Sequence, residues 1–156
     1  MRLWHYELLP YLPDMQLKGQ WRECCLIADG LAKNGTPNHL LVNKISEFLA
    51  PHFLDYTEKV CVEMRRRKFI LTEGSINKFS ENYADYCHQD KRWFRGIGGQ
   101  YDCLFDGWHD YTYLRVCMAN LYEKHFFGIS KSRITDEEWQ RLCEGYKEIT
   151  GEDYKI

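Results

Sequence analysis

The sequence predicts an all-α fold: a single compact helical domain of about five to six helices. Apolar residues recur at spacings of three and four along most of the chain, β-type alternation is scarce, and cap-forming residues stand where the helical spacing starts and stops. The 156 residues suit one domain and can bury a real core, and no repeat, low-complexity tract or Ser/Pro-rich linker divides them.

Pro10 and Pro13 are expected to keep the opening segment extended or turned rather than helical. Asp14 is then the expected N-cap of a helix running to about Lys33, with Leu17, Trp21, Cys24, Cys25, Ala28 and Leu31 on its buried face and Asn34-Gly35 as its stop. Thr36-Pro37 restarts the chain into a second helix with Leu40, Leu41, Ile45, Phe48 and Leu49 as its core stripe. Pro51 suits the first turn of a third, with Leu54, Val60, Cys61 and Met64 facing in and the cations Arg65 to Lys68 at its end, where the helix dipole favours them. A weaker helix runs from Ser75 to about Cys87.

Residues 88–108 mix glycine, arginine and aromatics without helical period, so a long aromatic/Gly loop is expected there. A strong helix follows from about Asp110 to His125, with Leu114, Cys117, Met118 and Leu121 inward. Thr135 to Glu138 resembles a capping box opening the last helix, which carries Trp139, Leu142 and Tyr146.

No apolar run approaches the ~20 residues of a membrane helix, and the start lacks an apolar signal core, so a cytoplasmic protein with this N-terminus as its mature one is expected. Seven cysteines without CxxC spacing argue for free thiols rather than a disulfide framework or zinc ribbon. The six histidines show no HxxxH or HExxH spacing, so no metal or other cofactor is expected. Gly96, Gly98 and Gly99 follow no strand and have no GKS/T tail, so a nucleotide-binding loop is unsupported. The formal net charge of −2 gives no bulk support for nucleic-acid binding, so any such partner must be met by local charge.

Two groups can carry chemistry. An α-amine has a reference pKa of about 7.7 to 8.0, so near neutral pH part of it is unprotonated and nucleophilic. Glu23, beside Arg22 in QWREC, is a carboxylate that can move protons for such a nucleophile; on composition alone Arg22-Glu23 reads as a solvated polar face.

Arg2, with Leu17, Arg22 and Glu23 in LKGQWREC, resembles the phage endonuclease V type of pyrimidine-dimer DNA glycosylase. The opening MRLWHYELLPYLPDMQLKGQWREC is also similar to bacterial relatives beginning MRLW, and YLRVCMANLYEKH (113–125) to their closing helix. The specific match covers about the first 25 residues. The resemblance implies a compact helical enzyme that excises pyrimidine dimers from double-stranded DNA and nicks the abasic strand. It implies an N-terminal amine as nucleophile, a glutamate at Glu23 and phosphate-holding arginines at Arg2 and Arg22, with no metal. Two departures stand out. Arg2 is too large for usual Met removal, so the nucleophile is the α-amine of Met1, and Leu26 replaces an arginine that follows the glutamate in the phage enzyme.

Three local sources of positive charge fit a DNA partner: Arg2, Lys18 and Arg22; Arg65 to Lys68; and Lys91, Arg92 and Arg95. Trp93 and Phe94 lie between the last cations, placed to stack on an unpaired base or to pack in the core. His5 lies near Met1 and either tunes the amine, contacts DNA or is structural. A monomer acting on damaged DNA is the leading reading; the alternative is a non-catalytic helical module that binds nucleic acid or protein.

Overall fold

A computed structural model describes residues 2–89, 103–128 and 133–155. They form five α-helices, α1 (Asp14–Asn34), α2 (Ala50–Arg66), α3 (Glu73–Gln89), α4 (Tyr111–Phe126) and α5 (Asp136–Thr150), and two 3-10 turns, Tyr6–Tyr11 and Asn43–Glu47. Among the described residues there is no strand. The all-α expectation holds. The chain divides into two compact units, one of Met1–Leu3 and Gln20–Phe105, the other of Trp4–Gly19 and Asp106–Ile156.

In the first unit, Cys24, Ile27, Ala28 and Leu31 of α1 are buried, as are Phe53, Tyr56, Val60 and Met64 of α2 and Phe79 and Tyr86 of α3. Phe79 ties the three helices together, its ring 5.8 Å from Trp21 and 5.8 Å from Phe53. Pro51 does sit in the first turn of α2, where its missing N–H costs nothing.

The second unit is held by α5. Thr135 and Glu138 exchange the two bonds of a true capping box (Glu138 N–H to Thr135 Oγ1, 3.2 Å; Thr135 N–H to Glu138 Oε2, 2.9 Å), and Gly151 closes the helix at φ 77°. Arg141 of α5 donates to the carbonyls of Tyr11 and Leu12 at 3.2 and 3.1 Å, and Tyr11 Oη donates to Glu148 at 2.5 Å. Gly145 lies against the Tyr11 ring so closely that a Cβ there would overlap it. Leu8, Leu9, Leu12 and Leu17 are buried in this unit with Leu114, Cys117, Met118, Leu121 and Leu142.

Three expectations need correction. The opening segment is a 3-10 turn over Tyr6–Tyr11 with Pro10 inside it, capped by the side chain of His5. Asp14 is the first residue of α1 rather than its N-cap, since the Pro13 carbonyl already accepts the N–H of Leu17 at 3.0 Å. The second helix expected after Pro37 is instead a run of turns ending in the Asn43–Glu47 3-10 turn. Its cause is local competition: Asn43 Oδ1 takes the His39 N–H at 2.7 Å and the Thr36 hydroxyl at 3.2 Å, and Asn38 adopts φ 54°. Leu40 and Leu41, assigned to a core stripe, are therefore exposed, Leu40 at 89%. Of the expected 88–108 loop, His88 and Gln89 end α3, residues 90–102 lie outside the described residues, and the buried Phe105 shows that its close packs inward. All seven cysteines are free.

Candidate active site

α1 is rotated so that Trp21, Cys24, Ile27, Ala28 and Leu31 face the core, and at 100° per residue this turns Arg22 outward and Glu23 to one flank. Arg22 is exposed, while Glu23 is half-buried with one carboxylate oxygen fully enclosed. The place of Glu23 on α1 thus sets its carboxylate at the boundary between the buried and the exposed faces of the helix. Lys18, one turn before Arg22, is also exposed, so both cations stand on one outward face of α1.

Two turns beyond Glu23 on the same flank lies Gly30. A Cβ there would come within 3.0 Å of Pro37 Cα, so the missing side chain lets the backbone at Pro37 lie directly on the helix. The flank of α1 that carries Glu23 is thereby walled at its far end by the 36–42 turn.

Leu3 is wholly buried and Arg2 half-buried, and both fall in the unit that contains Glu23 and Arg22, although the residues after them do not. Met1, Arg92, Trp93, Phe94 and Arg95 lie outside the described residues.

His5, in the second unit, is 2% exposed and is engaged with His109. Its Nε2–H donates to the His109 carbonyl at 2.8 Å and its Nδ1 accepts the Glu7 N–H at 3.4 Å, while His109 Nδ1 accepts the N–H of Tyr6 at 3.2 Å. These roles require both rings to be neutral, with their protons on Nε2. Burial drives both pKa values down, against the hydrogen bond to the His109 carbonyl and the Asp110 charge in the case of His5. For His109, burial and the neighbouring His5 bring the value to about 2. Of the three roles open to His5, the structural one is thus filled, and sequence reasoning gave no signal for its partner 104 positions away.

The Arg65 to Lys68 patch is smaller than its sequence suggests. Arg66 grips the buried Glu63 through Nε and a terminal nitrogen, both at 2.7 Å, and Arg67 Nε reaches the same carboxylate at 2.6 Å. Burial alone would raise the Glu63 carboxyl, but these bonds bring it below its usual range. The i, i+3 and i, i+4 spacing of Glu63 to Arg66 and Arg67 was the legible signal. Arg65 and Lys68 remain on the surface.

Among the described residues, no group of three or more His, Cys, Asp or Glu side chains gathers as a metal would need, and no helix is long and apolar enough to cross a membrane. Residues 1–77, just under half of the chain, match the model of a protein family described as pyrimidine dimer DNA glycosylase. That span includes Arg2, Lys18, Arg22 and Glu23 and carries the resemblance of the first 25 residues through α2 into α3. No curated protein and no solved structure gives a significant match.

Proposed function

We propose, from the match of residues 1–77 to the pyrimidine dimer DNA glycosylase family, that the chain is a DNA-repair glycosylase with abasic-site lyase activity. Its substrate is double-stranded DNA carrying pyrimidine dimers or a related damaged base. The observation that carries the reading is this match over the segment holding Arg2, Arg22 and Glu23; the half-buried placement of Glu23 supports it.

In the proposed reaction the α-amine of Met1 attacks C1′ of the damaged nucleotide. The C1′–N bond breaks, the base departs from C1′ with its electron pair, and it takes up the proton that the attacking nitrogen sheds. Glu23 protonates O4′ as the sugar ring opens, leaving a C1′=N iminium to the protein. The carboxylate so formed then takes a proton from C2′, and the electrons of that bond expel the 3′-phosphate. Water finally hydrolyses the iminium and restores the amine. Arg2, Arg22 and Lys18 hold flanking phosphates, a contact that needs local rather than net positive charge. Arg92, Trp93, Phe94 and Arg95 are proposed as further DNA contacts, with the two aromatics filling the space left by an extruded nucleotide.

Borohydride trapping tests the proposal on two duplexes, one UV-irradiated and one with a single abasic site. The wild type is expected to form a covalent adduct with both, and a protein extended at its amino end with neither. Glu23→Gln should slow adduct formation on the UV duplex by on the order of 10²- to 10⁴-fold. An adduct on the abasic duplex alone would keep the lyase and assign a different base. No adduct on either would favour the binding module.

A further inference from the structure

We infer that Leu40, on the turn between Pro37 and Val42, is a wedge that enters the base stack of a DNA duplex close to the lesion; the inference rests on the function proposed above. Pro37 and Val42 are buried, and the chain comes to the surface between them, with Leu40 89% and Leu41 48% exposed. A single exposed leucine needs no explanation. Two in succession on a tip whose backbone is held still are a different matter.

The tip is closed from His39 to Asn43. The Val42 and Asn43 N–H groups both donate to the His39 carbonyl at 2.9 Å, and Asn43 Oδ1 accepts the His39 N–H at 2.7 Å. The Leu41 N–H reaches His39 Nδ1 and the Asn38 N–H the Thr36 hydroxyl, each at 3.4 Å. Leu40 therefore stands on a backbone fixed before any partner arrives, and little ordering is left to oppose its insertion.

The place of the turn relative to Glu23 follows from α1. Gly30 stands seven residues after Glu23 on the same flank, about 10 Å along the helix axis, and Pro37 lies against Gly30. All of these residues belong to one compact unit. A duplex rises about 3.4 Å per base pair, so this offset corresponds to about three base steps from a nucleotide held at Glu23.

Charge selects the occupant. Residues 30–46 carry Lys33 and Lys44 and no carboxylate, in a chain whose acids outnumber its bases. Lys33 is 68% exposed and bonds Asp29 at 2.7 Å, a surface ion pair that yields to a phosphate at little cost. An apolar tip beside cations suits a duplex, in which phosphates flank a stack of flat base faces. Parting one base step bends the duplex and lowers the cost of turning a nucleotide out of it. That task is separate from filling the space the nucleotide leaves.

The test compares the intact wild type with Leu40→Ala, Leu40→Asn and Leu40→Met on duplexes that hold one abasic site. Because the side chain is exposed, all three variants should melt with the wild type. On a fully paired duplex, single-turnover borohydride trapping by the Ala and Asn variants should slow by about tenfold or more, the worth of a leucine withdrawn from an apolar site. Leu40→Met, apolar and of similar volume, should stay within about threefold of wild type. 2-Aminopurine set in turn at the three pairs on either side of the site should brighten at one position on binding wild type, and not on binding Leu40→Ala. Mismatching that pair breaks the step in advance and should return Leu40→Ala to within about threefold of wild type. A structural role, or a phosphate contact, gains nothing from the mismatch.

The wedge is overturned by wild-type trapping rates in Leu40→Ala, by an equal loss on paired and mismatched duplexes, or by no brightening with wild type. A change in sedimenting mass on substitution overturns it too, and assigns the leucines to a second copy of the chain. A wild type that forms no adduct removes the proposed function and the wedge with it, whereas a wild-type adduct beside any of those results removes the wedge alone.

Discussion

Lowering the pH from 7 to 5 should cost this protein about 2 kcal/mol through His109 alone, from the difference between the unfolded pKa of about 6.5 and the folded value. In the folded chain burial and His5 hold that pKa at about 2, so the folded protein takes up no proton on His109 in this range. The unfolded chain does, and acid draws the equilibrium towards it. The contribution is fully present above pH 6.5 and is lost as pH falls towards the folded value, at up to about 1.4 kcal/mol per pH unit. His5 shifts in the same direction and adds to the loss. Around the pair stand the Tyr6, Trp108 and Tyr113 rings, the Asp110 carboxylate and Glu7, whose Oε2 is 3.8 Å from His5 Nδ1. Asp110 raises the His5 value, but burial outweighs it. Urea unfolding at half-unit pH steps, for wild type and His109→Asn, isolates the effect, because asparagine keeps an acceptor and does not titrate. The wild type should lose about 2 kcal/mol more than the variant between pH 7 and 5. Parallel losses would refute a neutral, buried His109.

Glu63→Gln should lower stability by about 3 kcal/mol, because the buried carboxylate's ion pairs with Arg66 and with Arg67, only 11% exposed, are both broken; urea unfolding measures it. The same carboxylate sits below its usual range in the folded chain, so its stabilisation is present above about pH 4.5 and fades as pH falls through the folded value. Gly145→Ala should lower the melting temperature, at a cost of about 1 to 3 kcal/mol, since the added methyl meets the Tyr11 ring. Arg22→Gln should weaken binding to duplexes of any sequence and make the slope of log K against log salt shallower by about 0.9, as read by anisotropy titrations at several salt concentrations.

Helices with a clean apolar period and a cap were legible in the sequence: α1, α2, α4 and α5 lie within a few residues of expectation, and the Thr135 capping box forms as its spacing implies. The segment after Pro37 was not legible, because its leucines copy a helical stripe while Asn38 and Asn43 decide the backbone through side-chain bonds. Glu23 could be picked out by its neighbours in QWREC, and its place at the rim of the core follows from the helical phase of Cys24 and Ile27. His109 could not. Nothing near it in the chain distinguishes it from the other histidines, and its role arises from a contact with residues at the opposite end.

The chain visits its two units alternately, and this bears on how it is made. Trp4–Gly19 leaves the ribosome before Gln20–Phe105 but belongs with Asp106–Ile156, which leaves after it. The nascent chain must therefore carry the Trp4–Gly19 segment, with four buried leucines and the His5 imidazole, unsatisfied until synthesis of Gln20–Phe105 is over. The second unit is therefore closed only when its two separated segments are both present, whereas Gln20–Phe105 is one unbroken run of chain.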